Sequence, residues 1–351
     1  MSSTDIRSMN VDDLRAWLAS NGQPSFRAQQ IRQWLDDGVT DFKQMTNLPK
    51  DLRARLASAF TVPSVSIERK LVSAIDGTIK YLYRLDDGET VESVLMQYKH
   101  GWSQCLSTQV GCKMGCTFCA TGMGGFIRDL SAAEMLAQIE TAQKDANVRV
   151  SSVVLMGMGE PLDNYDNVVQ FLRMLGEEGG VRIGMRHISL STCGVVPGIR
   201  RLMKEQIPLT LSISLHAPND AIRSRTMPIN RRWPIEELLD ACRDYIEATG
   251  RRISFEYAMI EGVNDADEHA QELADRLQGM LCHVNLIPVN AVEGKAQRRS
   301  SRLRIRSFVE VLEKRGINVT VRRTLGADIN ASCGQLRRQK DQLTKRKEAL
   351  P

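Results

Sequence analysis

Cys112-Lys-Met-Gly-Cys116-Thr-Phe-Cys119 is a C-x3-C-x2-C run that places three thiols within eight residues. Thiolates this close can be wrapped onto one small object, and Gly115 lets the backbone bend around it. A closed structural zinc site takes four protein ligands, yet no other Cys or His lies close behind Cys119. A cubane 4Fe–4S cluster normally takes four thiolates. Three leave one iron open, and an open metal position is where a substrate or cofactor can bind. The spacing suggests a catalytic cluster, with a stray cysteine group or a weak zinc site as the plainer alternative.

Further reactive groups fall just after expected strands. Gly157-Met-Gly159-Glu160-Pro161 follows the strand Ser152–Met156. Its glycines allow close backbone approach, and its carboxylate could grip an ammonium. Ser191-Thr192-Cys193-Gly194 offers hydroxyls at the next strand end, with Cys193 read as a small buried hydrophobe. Ser214 and His216 share one side of a strand at period two, and Asn290 supplies an amide at the same rim. Cys242 and Cys282 read as core residues. Cys105 stands seven residues before the cluster run, while Cys333 lies in a loop after Gly326-Ala-Asp-Ile-Asn-Ala-Ser. Sequence physics alone leaves Cys333 open between an inert and a reactive thiol.

The elements that must position these groups come in three styles. Residues 1–60 read as small helices, Val11–Ser20, Arg27–Asp36 and Lys50–Phe60, with apolar anchors at Trp17, Phe26, Trp34 and Phe42. Alternation then marks short strands at Ser66–Leu71, Thr78–Leu85 and Thr90–Leu95, joined by Asp-Gly turns into an antiparallel meander. From Gln104 strand and helix alternate, with strands at Gln104–Gln109, Ser152–Met156, His187–Ser191, Leu209–Leu215, Ile253–Met259 and His283–Val289. Parallel strands with crossover helices make an α/β sheet covered on both faces, either doubly wound or partly closed as a barrel. Ligands gather at the carboxyl ends of such strands.

Apolar content of 42% with 25% charged residues is ordinary for a soluble globular enzyme, and no apolar run approaches the ~20 residues of a spanning helix. A cytoplasmic address and a protein without membrane contact are expected. Eight cysteines without a secretory signal point to metal or redox chemistry rather than structural disulfides. The net charge of +5 is modest, but arginines group at Arg223, Arg225, Arg231 and Arg232, at 298–306, and at Arg322–Arg323 before a basic tail. Such blocks screen phosphates or form solvated faces. No long apolar stripe is left for an interface, so a monomer is expected.

The cysteine run with Phe118 before its last Cys resembles the signature of radical S-adenosylmethionine enzymes. The segments VESVLM, STQVGC, MGMGEP, RHISLST, SLHAPN, MPINR, CHVNLIPVN and GADINASCGQL extend the resemblance, over most of the chain, to the RlmN/Cfr family of RNA methyl synthases. It implies a partial (β/α)6 TIM-like barrel over 98–330, a helical accessory domain at 1–60, a small β linker at 61–97, and a C-terminal catalytic-Cys loop and basic tail at 331–351. Cys112, Cys116 and Cys119 would hold a 4Fe–4S cluster. Gly159, Glu160, Ser191, Ser214, His216 and Asn290 would contact S-adenosylmethionine. Cys333 would carry a methyl group onto adenine C2, Glu92 would accept the C2 proton, and Cys105 would release the product through a transient disulfide with Cys333. Glu92 reads otherwise as surface charge, and Cys105 is a second candidate for the proton. Implied partners are 23S rRNA, tRNA at the adenine next to the anticodon, and an external electron donor. The RlmN-like Gly159-Glu160-Pro161 and Leu286-Ile287-Pro288 rank C2 above the Cfr-type C8 outcome; a non-catalytic iron–sulfur RNA binder is the alternative from another class.

Overall fold

Local caps and turns decide where each element starts. The computed structural model describes residues 4–176, 181–289 and 297–331. At the N-terminus, α1 (Val11–Ser20), α2 (Arg27–Asp36) and α3 (Lys50–Ala59) fold around their own core of Ile6, Leu14, Leu18, Ile31, Leu52 and Leu56. Asn10 caps α1 by accepting the Asp13 N–H at 2.8 Å, and Asp12 and Asp13 face the positive helix end. A short parallel pair, β1 (Thr4–Asp5) and β2 (Phe60–Thr61), ties the ends of this module together. Arg7 fastens it to the main body, pairing with Glu140 at 2.6 Å and donating to the Leu35 carbonyl at 2.6 Å.

The meander of β3 (Val65–Val72), β4 (Ile79–Leu85) and β5 (Thr90–Tyr98) runs on into β6 (Gly101–Cys105), which pairs antiparallel with β5 and sets Val94 opposite Cys105. These strands are thus hydrogen-bonded into the main sheet. The single strand expected over Gln104–Gln109 is broken. Its first part ends at Cys105, and residues 106–108 then follow the neighbouring backbone, Leu106 N–H to the Val154 carbonyl and Thr108 N–H to the Met158 carbonyl. The chain next turns outward as β7 (Gln109–Gly111), which pairs with β8 (Phe126–Asp129) in a hairpin flanking the cysteine run.

The βα units follow as α4 (Ala132–Ala146), β9 (Val150–Leu155), α5 (Tyr165–Gly176), β10 (Ile188–Thr192), α6 (Val196–Glu205) and β11 (Thr210–Ser214). After them come α7 (Asp220–Thr226), α8 (Ile235–Thr249), β12 (Ile253–Met259), α9 (Asp267–Leu277), β13 (Cys282–Pro288), α10 (Arg302–Lys314) and β14 (Val319–Val321). Ser131 and Glu134 form a reciprocal capping box at the start of α4, worth about 1 kcal/mol. The short α7 has no counterpart in the sequence reading; Asn219 starts it by accepting the Ile222 N–H.

Among the described residues one ten-stranded sheet has the order β14-β13-β12-β11-β10-β9-β6-β5-β4-β3, parallel from β14 to β6. Val94 of β5, Cys105 of β6, Ser191 of β10, Ser214 of β11, Glu256 of β12 and Arg322 after β14 all line one cavity of about 380 Å³. Laid flat, eight strands from β5 to β14 would span about 34 Å at ~4.8 Å spacing. The sheet therefore curls around the cavity as a partial barrel, with the strands' carboxyl ends at its mouth.

Candidate active site

The hairpin of β7 and β8 holds the cysteine run at its base. The Cys112 N–H donates to the Gly125 carbonyl at 2.9 Å, and a side chain at Gly111 would lie 1.9 Å from that same oxygen. Gly115 turns the loop at φ 69°, Cys119 N–H closes onto the Cys116 carbonyl, and Thr117 N–H is held by the Thr226 carbonyl. All three thiols line the cavity. Burial pushes Cys112 and Cys116 up to about 12, with Glu160 and neighbouring cysteines adding to the shift. Thiols in such surroundings ionise only when a metal's positive charge offsets the burial. Among the described residues no three Cys, His, Asp or Glu side chains converge on a point that could hold a single ion. Three thiols around one cavity suit a cluster, whose irons each take one thiolate.

Gly157-Met-Gly159-Glu160 runs beside residues 106–109, and the glycines are required by the chain's own backbone. A Cβ at Gly157 would sit 2.4 Å from the Leu106 carbonyl oxygen, and one at Gly159, where φ is 106°, would sit 2.7 Å from the Gln109 nitrogen. Close approach thus serves packing first, and both residues still line the cavity. Glu160, 3% exposed, accepts the Leu162 N–H at 3.0 Å and the Cys193 N–H at 2.7 Å. Burial raises its carboxyl, opposed chiefly by the Cys193 amide that supports the charge. Cys193 is the small buried residue expected, and its backbone has this holding role.

Ser191 and Ser214 face each other with hydroxyls 3.3 Å apart at the ends of β10 and β11. His216 also reaches the cavity, though by another route than strand alternation. The strand ends at Ser214, and His216 adopts a left-handed φ of 56° that turns its ring inward. Nδ1 accepts the Ala258 N–H at 2.9 Å, and the ring meets Phe118 edge-on at 4.9 Å. Burial, with Arg223 adding, lowers its pKa to about 3. The ring is neutral, with its proton on Nε2.

Two buried groups escape the sequence reading. Arg223, grouped there with phosphate-screening arginines, is 0% exposed. Its guanidinium donates to the Leu215, Cys193 and Ser214 carbonyls and to Asn230 Oδ1, pinning two strand-end loops together. Glu256 lines the cavity from the middle of β12, with Asn285 Nδ2 at 2.7 Å and Ser254 Oγ at 2.9 Å on its carboxylate. A lone carboxylate in the apolar strand Ile253–Met259 was the available signal.

Cys105 faces the cavity in a small apolar cluster with Val94, Met96, Leu325 and Ala331. Glu92, two residues before Val94 on β5, is not surface charge. It is 0% exposed and pairs at 3.0 Å with Lys80, equally buried, because both sit on strands inside the sheet. Its side chain is not among those lining the cavity. Cys333 and Asn290 lie outside the described residues; Ala331 and Val289, which precede them, line the cavity. The structure thus gathers Cys105, Cys112, Cys116, Cys119, Gly159, Glu160, Ser191, Ser214 and His216 around one space, while Glu92 is held by Lys80 outside that lining. A cavity of this volume takes a small molecule such as a nucleoside cofactor.

The sequence profile of the radical SAM superfamily matches residues 106–275, and that of the ribosomal RNA large subunit methyltransferase N-terminal domain matches residues 4–62. The chain is 53% identical over 339 residues, 97% of its own length and 99% of the relative's, to a probable dual-specificity RNA methyltransferase RlmN of Alkaliphilus oremlandii. A protein of the same description from Clostridium tetani is 51% identical over 335 residues, 95% of this chain and 96% of that one. The crystal structure of a radical SAM methyltransferase from Sphaerobacter thermophilus superposes with a TM-score of 0.88 at 45% identity, covering 95% of this chain and 98% of the other.

Proposed function

The chain belongs to the RlmN family of radical SAM RNA methyltransferases, enzymes of a 4Fe–4S cluster and S-adenosylmethionine, and from this premise we propose that it methylates adenine C2 through a thioether on Cys333. The substrates on this reading are 23S rRNA and the tRNA adenine 3′ of the anticodon, with electrons from an external donor. Work on these RNAs places the protein in the cytoplasm; no helix among the described residues is long and apolar enough to cross a membrane.

The observation that carries the reading is that Cys105, the three cluster cysteines and Ala331, two residues before Cys333, line the same cavity. Cys112, Cys116 and Cys119 hold the cluster, and Gly159, Glu160, Ser191, Ser214, His216 and Asn290 hold the cofactor. When bound, the pair supplies a methyl group and a carbon radical. Adenine C2 is electron-poor and does not attack a sulfonium methyl, so a carbon carried on Cys333 must be delivered to it. The radical adduct must then give up both the C2 proton and one electron; the 4Fe–4S cluster, when bound, would be the acceptor of the electron. Cys105 lines the cavity whereas Glu92 does not and is ion-paired with Lys80, which favours Cys105 as the first acceptor over the Glu92 that the resemblance implies. In the last step Cys105, having passed that proton on to solvent, attacks the Cys333 sulfur as a thiolate. The sulfur–carbon bond breaks, its electron pair stays with carbon, which takes a proton, and a disulfide forms. A transient cytosolic disulfide is a catalytic one. The base must be flipped or unpaired to reach the barrel interior.

Mass spectrometry of Cys333 in oxygen-free, cluster-loaded protein tests the reading. One added methyl group, absent in Cys112→Ala, is expected, with C2-methyladenine in digests of the treated RNA. C8-methyladenine would correct the regiochemistry. A bare thiol in protein that also leaves RNA unmodified would overturn the proposal.

A further inference from the structure

The turn between β3 and β4, together with Lys80 at the start of β4, is joined to the segment ahead of Cys333 by four hydrogen bonds across some 250 residues of chain. Ser73 Oγ donates to Asp328 Oδ1 at 2.6 Å, and the Ala74 N–H donates to Asp328 Oδ2 at 2.9 Å. In return the Gly326 N–H donates to Asp76 Oδ2 at 2.8 Å. Lys80 Nζ donates to the Asn330 carbonyl at 2.9 Å while pairing with Glu92. Every second residue from 326 to 330 is therefore held by the stretch 73–80.

Both partners are shaped for this contact. Within the turn, Ser73 Oγ also accepts the Ile75 and Asp76 N–H groups, and Asp76 Oδ1 accepts the Thr78 N–H. The hydroxyl and carboxylate that reach across are thus fixed beforehand. On the other side, a 3-10 turn over Ala327–Ile329 is bracketed by left-handed residues, Gly326 at φ 59° and Asn330 at φ 47°. A side chain at Gly326 would come within 2.6 Å of Ala331 Cβ and 3.2 Å of Thr78 Cγ2, so only glycine fits between the two. Ala331 N–H closes back on the Gly326 carbonyl, and its methyl packs in the Cys105 cluster. The result is a braced turn that stops two residues short of Cys333 and touches the surroundings of Cys105.

We infer that the Ser73–Lys80 stretch is a docking platform for the segment that carries Cys333, with Asp328 and Lys80 as positioning residues that keep Cys333 within reach of Cys105. This rests on the reading of Cys333 and Cys105 as partners. Lys80 bonds to both Glu92 and the docked segment, so the platform couples the segment's seating to the buried ion pair. A plain fastening of the chain's end would give stability alone. A platform raises the effective concentration of one thiol at the other.

The test is the rate of Cys105–Cys333 disulfide formation in full-length protein, reconstituted with its cluster in the absence of S-adenosylmethionine so that Cys333 carries no methyl group. In a glutathione buffer two thiols lose two protons and two electrons, and one glutathione disulfide becomes two glutathiones; alkylation and mass spectrometry follow the pair. Asp328→Ala, at an exposed turn, and Ser73→Ala each remove one side of the same bond. Each is expected to slow pairing about tenfold with iron content unchanged, and Asp328→Ala with an unchanged thermal midpoint as well. The double variant is expected to be no slower than the slower single, since both act on one contact. Pairing within about twofold of wild type in all three variants, or wild-type protein that does not pair at all, overturns the platform. Wild-type protein that pairs in this platform-dependent way but leaves RNA unmethylated supports the platform and refutes the function proposed above.

Discussion

Replacing His216 with Gln removes a ring that burial keeps neutral, and the cost depends on pH with a sign that the structure fixes. Nδ1 accepts the Ala258 N–H, so a second ring proton would break that bond and set a cation beside buried Arg223. The folded-state pKa is about 3, against 6.5 for an unhindered imidazole. A value depressed on folding gives stability that is present above pH 6.5 and lost as pH falls, because the unfolded chain takes up a proton that the folded chain refuses. At pH 5 the loss is about 2 kcal/mol, from about 1.5 units below the unfolded value at about 1.36 kcal/mol each. At pH 7.5 it is close to zero, and there His216→Gln costs about 1–3 kcal/mol for the strained or unpaired Ala258 amide. Urea unfolding of cluster-free protein, wild type and variant, at both pH values measures the difference. The wild type's advantage should shrink by about 2 kcal/mol on going to pH 5. An advantage that is the same at both pH values would refute the assignment of a buried, neutral ring.

Lys80→Met leaves Glu92 buried without its cation and should cost about 3–5 kcal/mol in urea unfolding, while Lys80→Met with Glu92→Gln should recover much of that; no recovery would show that the pair is not the source of the loss. Glu160→Gln turns one carboxylate oxygen into an amide that cannot accept from both Leu162 and Cys193, at about 1–3 kcal/mol. Calorimetric titration of the cluster-loaded variant should show S-adenosylmethionine binding weakened about tenfold or more, and unchanged affinity would remove Glu160 from the cofactor site.

What was legible in the sequence was local. The cysteine run declares itself because its thiols are neighbours in the chain, and Gly159-Glu160, Ser191 and Ser214 follow strands whose ends are where parallel sheets hold ligands. The α/β alternation was equally plain from periodicity, and the helical segments at 11–20, 27–36 and 50–59 are where spacing put them. What the sequence hid depends on partners far away. Arg223 looks like one of a surface cluster until four acceptors from separate segments surround it. Glu92 looks like surface charge because Lys80 belongs to another strand, and pairing register is not written in either segment. The break after Cys105 is invisible for the same reason, since residues 106–108 stay extended but change neighbours. His216 reached the cavity by a left-handed turn that alternation does not foresee.

The contacts between residues 326–330 and 73–80 also have a bearing on the order of events as the chain folds. Their members lie 250 to 255 positions apart in the chain. Loop-closure entropy grows slowly with length, but contacts of such separation form late, once the strands between them have found their registers. A chain still completing its sheet already holds Cys105, Cys112, Cys116 and Cys119, yet lacks the braced turn at 326–330. On the proposed pairing of Cys105 with Cys333, topology would therefore delay their meeting until the end of folding.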